Sequence, residues 1–440
     1  MHPITIDDVI EKAELNKYVG TLHKSVHIFI LWRAYIMIID FRDREELHLI
    51  DPDYTPSSLD IISNPNNLHA SFVNYRKSGV AWKQSVQQYE MNELRNNIRL
   101  HNEIESNKYK QLPPNNFILH ERGKVRFITS DQVRDKIVQN SLNKYLLEPT
   151  LQPKLIYDNG ASQKGKGISF TRQRFENHLR NAYREFSGNG YILLIDFSKY
   201  FDNILHFNLL NMISRYLNPQ ELQFVTNIVK EFEVDVSYMS DEEYESYTTT
   251  LFNSLEHNTI DKSKLTGAKM MAKSIPIGSH TSQISGLFYP HEIDNYCKIV
   301  RSIKYYGRYM DDTYIIARTK EELYGILHDI RQICYRLGIF INEKKTHIQP
   351  IDTWITFLKI NYKLTETGGL IRKIPSEIIH RERRRLYKYK HLLDAGKINL
   401  LEIKNNYKSW RGTYSKYDSG YDIHKLDLEF LAIFKEPFNQ

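Results

Sequence analysis

The stretch "RYMDDTYIIA", residues 308–317, sets two adjacent acids, Asp311 and Asp312, between Tyr309–Met310 and a strand-like apolar run, Thr313–Ile316. Like charges side by side at the end of an apolar segment repel each other and gain nothing from packing, so they need a counter-charge. A solvated turn is one answer. Divalent cations are another: Mg²⁺ takes one or two carboxylates and completes its shell with water and substrate phosphates. Two such ions held close together stabilise both the attacking and the leaving oxygen of an in-line phosphoryl transfer. That site needs a further carboxylate. The stretch "YILLIDFSKYFDNI" (191–204) supplies a candidate, because its continuous apolar run ends in Asp196, as a buried central strand does when it delivers a side chain to a site. Since 115 residues separate Asp196 from Asp311, only the fold can join them, and an antiparallel sheet pairing that strand with a hairpin at 302–317 would do so.

Outward from these strands, 440 residues with 41% hydrophobic content suffice for a sizeable core and two or three subdomains. Sixty Lys plus Arg against fifty-three Asp plus Glu leave +7, a modest hint of a polyanionic partner. Two cysteines, Cys297 and Cys334, cannot build a zinc cluster and read as intracellular thiols. Met1–Asn16 has no apolar core of a signal peptide, and Val26–Ile39 is interrupted by His27 and Arg33 and too short to span a bilayer. The expectation is a cytoplasmic protein without a membrane partner.

Residues 1–42 hold helix-like stretches, and a turn-rich link, Asp51–Asn67, follows. "YEMNELRNNIRLHNEIESN" (89–107) reads as one amphipathic helix, and "NFILHERGKVRFITS" (116–130) as a hairpin with Arg122, Lys124 and Arg126 around Gly123. That hairpin is either a basic flap over phosphates or simply solvated. "SQKGKGISFTRQRFENHLRNAYREF" (162–186) is a basic glycine loop entering a helix, but it lacks GxxxxGK[ST], which argues against an ATPase. Residues 233–272 carry an acidic, tyrosine-bearing patch and read as a surface insertion. "IPIGSHTSQISGLFYPHEIDNY" (275–296) is a Gly-Ser loop leading into a helix. A helix at 320–337, a short strand near Thr346–Gln349, a second hairpin-like stretch at 354–374 and a helical, basic tail from Pro375 complete the chain.

In this order the motifs resemble those of reverse transcriptases. "YMDD" (309–312) is similar to the catalytic box, "DFSKYFDNI" (196–204) to the earlier DxSxxFD motif, and "IGSHTSQ" (277–283) to the glycine–serine loop. "LGIFINEKKT" (337–346) resembles the lysine motif, "FLKINY" (357–362) the primer-grip hairpin, and "GKVRFITSDQVRDKIVQ" (123–139) the fingers segment. The resemblance implies an α+β right-hand polymerase fold: an N-terminal helical extension over 1–75, fingers and antiparallel-sheet palm over 76–374, and a helical thumb over 375–440. The form of the "IGSHTSQ" loop and the tail "YKSWRGTYSKYDS" (407–419) look most like prokaryotic enzymes of diversity-generating retroelements and of the "unknown group" and abortive-infection types in phage defence.

Carried over position by position, the resemblance makes Asp196 and Asp311 ligands of two Mg²⁺ ions, with Mn²⁺ as an alternative, helped by the backbone carbonyl of Phe197 and, to a lesser extent, Asp312. Lys124 and Arg126 would meet the nucleotide triphosphate, where a guanidinium fork suits phosphate oxygens. Lys345, or its neighbour Lys344, would protonate the departing pyrophosphate. The nucleotide pocket would be completed by Lys199, Tyr200, Phe201, Ile277, Gly278 and Gln283, with Phe201 as an aromatic gate against the ribose 2′-hydroxyl. Ile277 stands where many members carry Gln, which implies relaxed base discrimination. On the thumb, Arg381, Arg383, Arg384, Arg385, Lys388 and Lys390, with Trp410 nearby, would bind the template–product duplex.

The implied partners are a structured non-coding RNA as template, deoxynucleoside triphosphates, the DNA product, and an accessory protein or a second copy. About 65 residues after the primer-grip region leave no room for an appended nuclease domain of usual size. Three purposes remain open: DNA synthesis in antiphage defence, mutagenic copying in a diversity-generating retroelement, and an RNA-binding scaffold that needs no catalysis.

Overall fold

The computed structural model describes residues 57–121 and 123–439, so the readings made for residues 1–56 and for Arg122 lie outside the described residues. The chain from Ser58 onward forms one compact unit. It begins with helices α1 (Ser58–Ser63), α2 (Pro65–Lys77), α3 (Gln84–Met91) and α4 (Glu93–Glu105). Pro65 at the first turn and the Asn64 side chain, which accepts from Asn66 N at 2.9 Å, start α2. The single helix expected over 89–107 is broken at Asn92, whose φ of −124° and ψ of 24° are non-helical. The expected boundary at residue 75 falls inside this helical group, because Leu68 and Phe72 of α2 share a core with Leu100 and Ile104 of α4.

Strands β1 (Asn115–Glu121) and β2 (Lys124–Ser130) pair antiparallel, with Glu121 opposite Lys124 at the turn. Helix α5 (Val133–Leu142) follows, then α6 (Ile168–Glu185). The palm is built from β3 (Tyr191–Ile195), helices α7 (His206–Ser214) and α8 (Pro219–Lys230), a small pair β4 (Val234–Asp235) and β5 (Met270–Met271), helices α9 (His280–Phe288) and α10 (His291–Asn295), hairpin strands β6 (Tyr305–Tyr309) and β7 (Asp312–Ala317), helix α11 (Lys320–Leu337) and strand β8 (His347–Pro350). The large sheet has the order β6-β7-β3-β8, antiparallel throughout.

The apolar run of β3 has a direct cause: the sheet divides two cores. Leu193 and Ile195 join the cluster containing α5, α7, α9 and α11, whereas Ile192 and Leu194 join the one formed by α6 and the C-terminal elements. A strand covered on both faces has no polar side to alternate with. Each such side chain contributes about 1.5–3 kcal/mol on burial.

The expected hairpin at 354–374 is a three-stranded meander, β9 (Ile355–Phe357), β10 (Ile360–Leu364) and β11 (Leu370–Lys373). Leu358 and Lys359, at φ of 47° and 66°, make the tight turn that adds a strand, a conformation that carries no glycine signal here. The thumb helices α12 (Ser376–Asp394), α13 (Leu400–Tyr414) and α14 (Gly420–Phe434) pack through Leu386, Ile403, Tyr407, Leu426 and Phe430. No helix among the described residues is long and apolar enough to cross a membrane.

Candidate active site

The register of β3 against β7 pairs Ile195 with Thr313, so the next residue, Asp196, stands across from Asp312. Tyr309 pairs with Asp312 and leaves Met310 and Asp311 as the turn of the β6–β7 hairpin. All three acids therefore emerge at one end of the two central strands. Met310 takes a left-handed φ of 54°, which a non-glycine side chain adopts only when its surroundings hold it there.

What holds it is Arg308, fully buried at 0% exposure. Its Nη1 donates to the Met310 carbonyl at 3.0 Å, its Nε and Nη2 donate to Asp294 at 2.8 and 2.6 Å, and Nη2 also donates to Leu287 O at 3.0 Å. The Tyr306 hydroxyl donates to the same Asp294 at 2.5 Å. Sequence reasoning missed this pair. An arginine within the strand-like run "YYGRY" was the available signal, because a cation there requires a buried acid.

Burial, followed by the charges of Asp311 and Asp196, pushes the Asp312 carboxyl up to about 7. Burial raises Asp311 as well, with a further push from Asp196, while Lys124 and Lys345 oppose it. A carboxyl whose folded-state value lies above its usual 3.8 keeps its proton longer in the folded protein, so stability falls as pH rises from about 4 to about 7. In EDTA-containing buffer the melting temperature is expected to be higher at pH 5 than at pH 8. Asp312→Asn should remove part of that slope and raise the midpoint at pH 8 by about 2–4 °C. A midpoint that rises between pH 5 and pH 8, or that changes by the same amount in both proteins, would contradict this.

Asp196 is held by the lysine motif. Its Oδ2 accepts from Asn342 Nδ2 at 3.0 Å and from Lys345 Nζ at 2.9 Å, and its backbone carbonyl accepts from Asn342 N at 2.8 Å. Ser198 N donates to Phe340 O at 2.7 Å, so the intervening Phe197 carbonyl faces away from the segment around Ile341. Asn342 lies inside a motif legible in the sequence, yet its role as a clamp on Asp196 was not. Among the described residues no three acidic, histidine or cysteine side chains already close around one point. The donor set of hard carboxylate oxygens and one carbonyl, with burial and then mutual repulsion raising two of the carboxyl groups, nevertheless fits a divalent cation of the Mg²⁺ or Mn²⁺ kind.

Around the acids, Lys124 and Arg126 lie exposed two residues apart on β2, and Lys124 is near enough for its charge to act on Asp311 and Asp312. The loop before α9 docks on the same strand: Thr129 N donates to Ile277 O at 3.2 Å, and a Cβ on Gly278 (φ 121°) would stand 2.7 Å from Thr129 O. Gln283 is exposed on α9, while Ser279 Oγ and His280 N both bond Gln139 Oε1. Lys199 is exposed. Phe201 is half-buried against Gly286, where a Cβ would come within 2.7 Å of its ring. Tyr200 needs correction as a nucleotide contact. It is 5% exposed and its hydroxyl donates to Gly286 O at 2.6 Å, so it serves the core.

Four thumb assignments also change. Trp410 is half-buried, stacked on Tyr407 at 5.8 Å and tilted against Tyr414 at 5.2 Å, and so belongs to the thumb core. Arg385 is committed to the buried Glu382 at 2.7 Å, Arg383 to Glu429 at 2.7 Å, and Lys390 to Asp394. Arg384 and Lys388, one turn apart, remain exposed on α12, and Arg381 is half-buried.

An antiparallel palm that brings acids from two separate motifs to one strand end, flanked by a basic hairpin and a helical thumb, defines a right-hand nucleic-acid polymerase architecture. Residues 113–362, more than half of the chain, match the family described as "Reverse transcriptase (RNA-dependent DNA polymerase)". The chain belongs to that family. No curated protein matches it. Among solved structures it is similar to telomerase from Candida albicans in complex with a TWJ fragment of telomeric RNA, at 14% identity and a TM-score of 0.39, covering 75% of this chain. It spans 62% of the length of that telomerase chain.

Proposed function

We propose that the protein is an RNA-directed DNA polymerase that extends a primer on an RNA template with deoxynucleotides. The observation that carries this reading is the β3–β7 register, which sets Asp196 across from Asp312 with Asp311 in the adjoining turn. Asp196, Asp311 and the Phe197 carbonyl would hold two Mg²⁺ ions, with Asp312 in an outer position. When bound there, such ions would supply Lewis-acid stabilisation of the attacking and leaving oxygens. Lys124 and Arg126 bind the triphosphate, Phe201 turns away a ribose 2′-hydroxyl, and Lys345, 2.9 Å from Asp196, donates a proton to the departing pyrophosphate. Arg384 and Lys388 hold the duplex backbone. Primer extension on an RNA template with Mg²⁺ and deoxynucleotides tests this. Labelled DNA should appear, and its absence with every template and primer type would sink the proposal.

The template is proposed to be a dedicated structured non-coding RNA, and the setting cytoplasmic antiphage defence, supported by the likeness of "IGSHTSQ" and "YKSWRGTYSKYDS" to prokaryotic enzymes of that kind. Sequencing the RNA that copurifies with the protein checks it: one enriched structured species is expected, and bulk cellular RNA would contradict it. The half-buried Ile277 presents no hydrogen-bonding group beside the nascent pair. Ile277→Gln should lower the misincorporation frequency by about 3- to 10-fold, the effect of one added hydrogen bond. An unchanged error spectrum would count against that role.

A further inference from the structure

The segment between β4 and β5 leaves the palm and returns to it at one place, where Val234 pairs with Met271 and Asp235 with Met270. It has a small core of its own, Val236, Phe252 and Met271. Lys273, fully buried, ties it down by donating to Tyr247 O at 2.9 Å and Thr250 O at 2.7 Å. It is therefore more than the surface insertion expected from its composition.

From that core the chain reaches back to the tight turn Phe201–Asn203. Asn203, 1% exposed, spends its whole amide there: Oδ1 accepts from Phe252 N at 2.9 Å, and Nδ2 donates to Phe252 O at 3.0 Å and Lys199 O at 2.9 Å. Asp202 Oδ2 accepts from Ser254 N at 3.1 Å. Beyond this point the one-turn helix Ser254–His257 lies alongside β2, the strand that carries Lys124 and Arg126. On the other side, Ile275 N donates to Phe201 O at 3.0 Å and the ring rests on Gly286. The two residues that follow Phe201 are thus fastened to the insertion.

We infer that Phe252–Ser254 is a positioning strap that sets the edge of Phe201, so that the insertion governs ribose selection in the nucleotide pocket. A ring rejects a single added oxygen only if its edge is held to within a fraction of an ångström, and a gate whose backbone yields lets the hydroxyl in. The inference rests on the reading of Phe201 as the gate.

The test is single-nucleotide incorporation by the full chain on an RNA template with a DNA primer, comparing kcat/KM for a deoxynucleotide with that for its ribonucleotide. Ser254→Pro removes the N–H that serves Asp202 together with the hydroxyl beside the same carboxylate, so the N–H is read by comparison with Ser254→Ala, which lacks the hydroxyl alone. Ser254 is the first residue of its helix, where proline is tolerated, and Asn253 (φ −134°, ψ 103°) already has the conformation that precedes proline. Discrimination should fall by about tenfold in Ser254→Pro, the loss expected from one buried hydrogen bond. Deoxynucleotide kcat/KM should change by less than about twofold, since a ribose without the 2′-hydroxyl does not meet the Phe201 edge and the groups proposed to hold the triphosphate stay in place. Asn203→Ala should lower discrimination further, and neither change should lower it again in a Phe201→Ala background. An unchanged ratio in Ser254→Pro, with Phe201→Ala relaxed, overturns the strap while leaving the gate. An unchanged ratio in Phe201→Ala overturns both.

Discussion

Asp311→Asn should reduce deoxynucleotide incorporation by about 10³-fold or more, because on the proposed reading it removes a carboxylate that would hold the metal ions, and with it several kcal/mol of stabilisation of the transferring phosphoryl group. The loss should fall on kcat rather than KM, since the proposed function assigns template, primer and triphosphate to other residues. The fold should survive. Burial and the neighbouring Asp196 already raise the Asp311 carboxyl, so an uncharged amide relieves repulsion in the folded state. The expected result is an inactive protein that melts at or above the wild-type temperature. If the variant kept full biological activity in cells, catalysis would be irrelevant to its role and the RNA-binding scaffold would be the correct reading. If it were inactive only because it was unfolded, the account of the acids' electrostatics would be wrong.

Arg308→Met should destabilise the protein by about 3–5 kcal/mol, the usual consequence of stranding one partner of a buried ion pair. Here the stranded group is Asp294, 1% exposed, which keeps only the Tyr306 hydroxyl as a side-chain donor in the network described above. The Met310 carbonyl loses its anchor at the same time. Adding Asp294→Asn removes the stranded charge and should recover most of the stability, whereas the turn beside Asp311 stays unheld and incorporation stays low. Urea midpoints and incorporation rates of the single and double variants separate the two effects. Equal recovery of both would show that Arg308 stabilises the sheet without positioning the turn.

Much of the palm was legible because its signals are local. A continuous apolar run ending in Asp196 says that both faces of β3 are covered, and "YMDD" between two apolar strands marks a turn of acids. The third strand of the meander leaves no mark in the sequence because its tight turn uses Leu358 and Lys359 rather than glycine. The pattern over 89–107 looks continuous because Asn92 interrupts the helix without proline or glycine. Tyr200 and Phe201 are adjacent aromatics in one motif, and nothing in their spacing says that one is sealed in the core while the other is only half-buried. The same holds for Trp410, where an aromatic among basic residues suits a nucleic-acid face and a thumb core equally well.

By itself, the order and chemistry of the motifs determined the family, the two-motif origin of the acids and the basic character of the hairpin, since each is written within a short span of chain. Only the tertiary structure decided that Arg308 reaches past its strand to Asp294 and Met310, that Asn342 and Lys345 clamp Asp196, and that the insertion fastens to the residues beside Phe201. Those partners lie from two to about 150 positions apart along the chain. Which of them meet is set by strand register and by the direction in which each side chain is buried, and neither quantity exists until the sheet has formed.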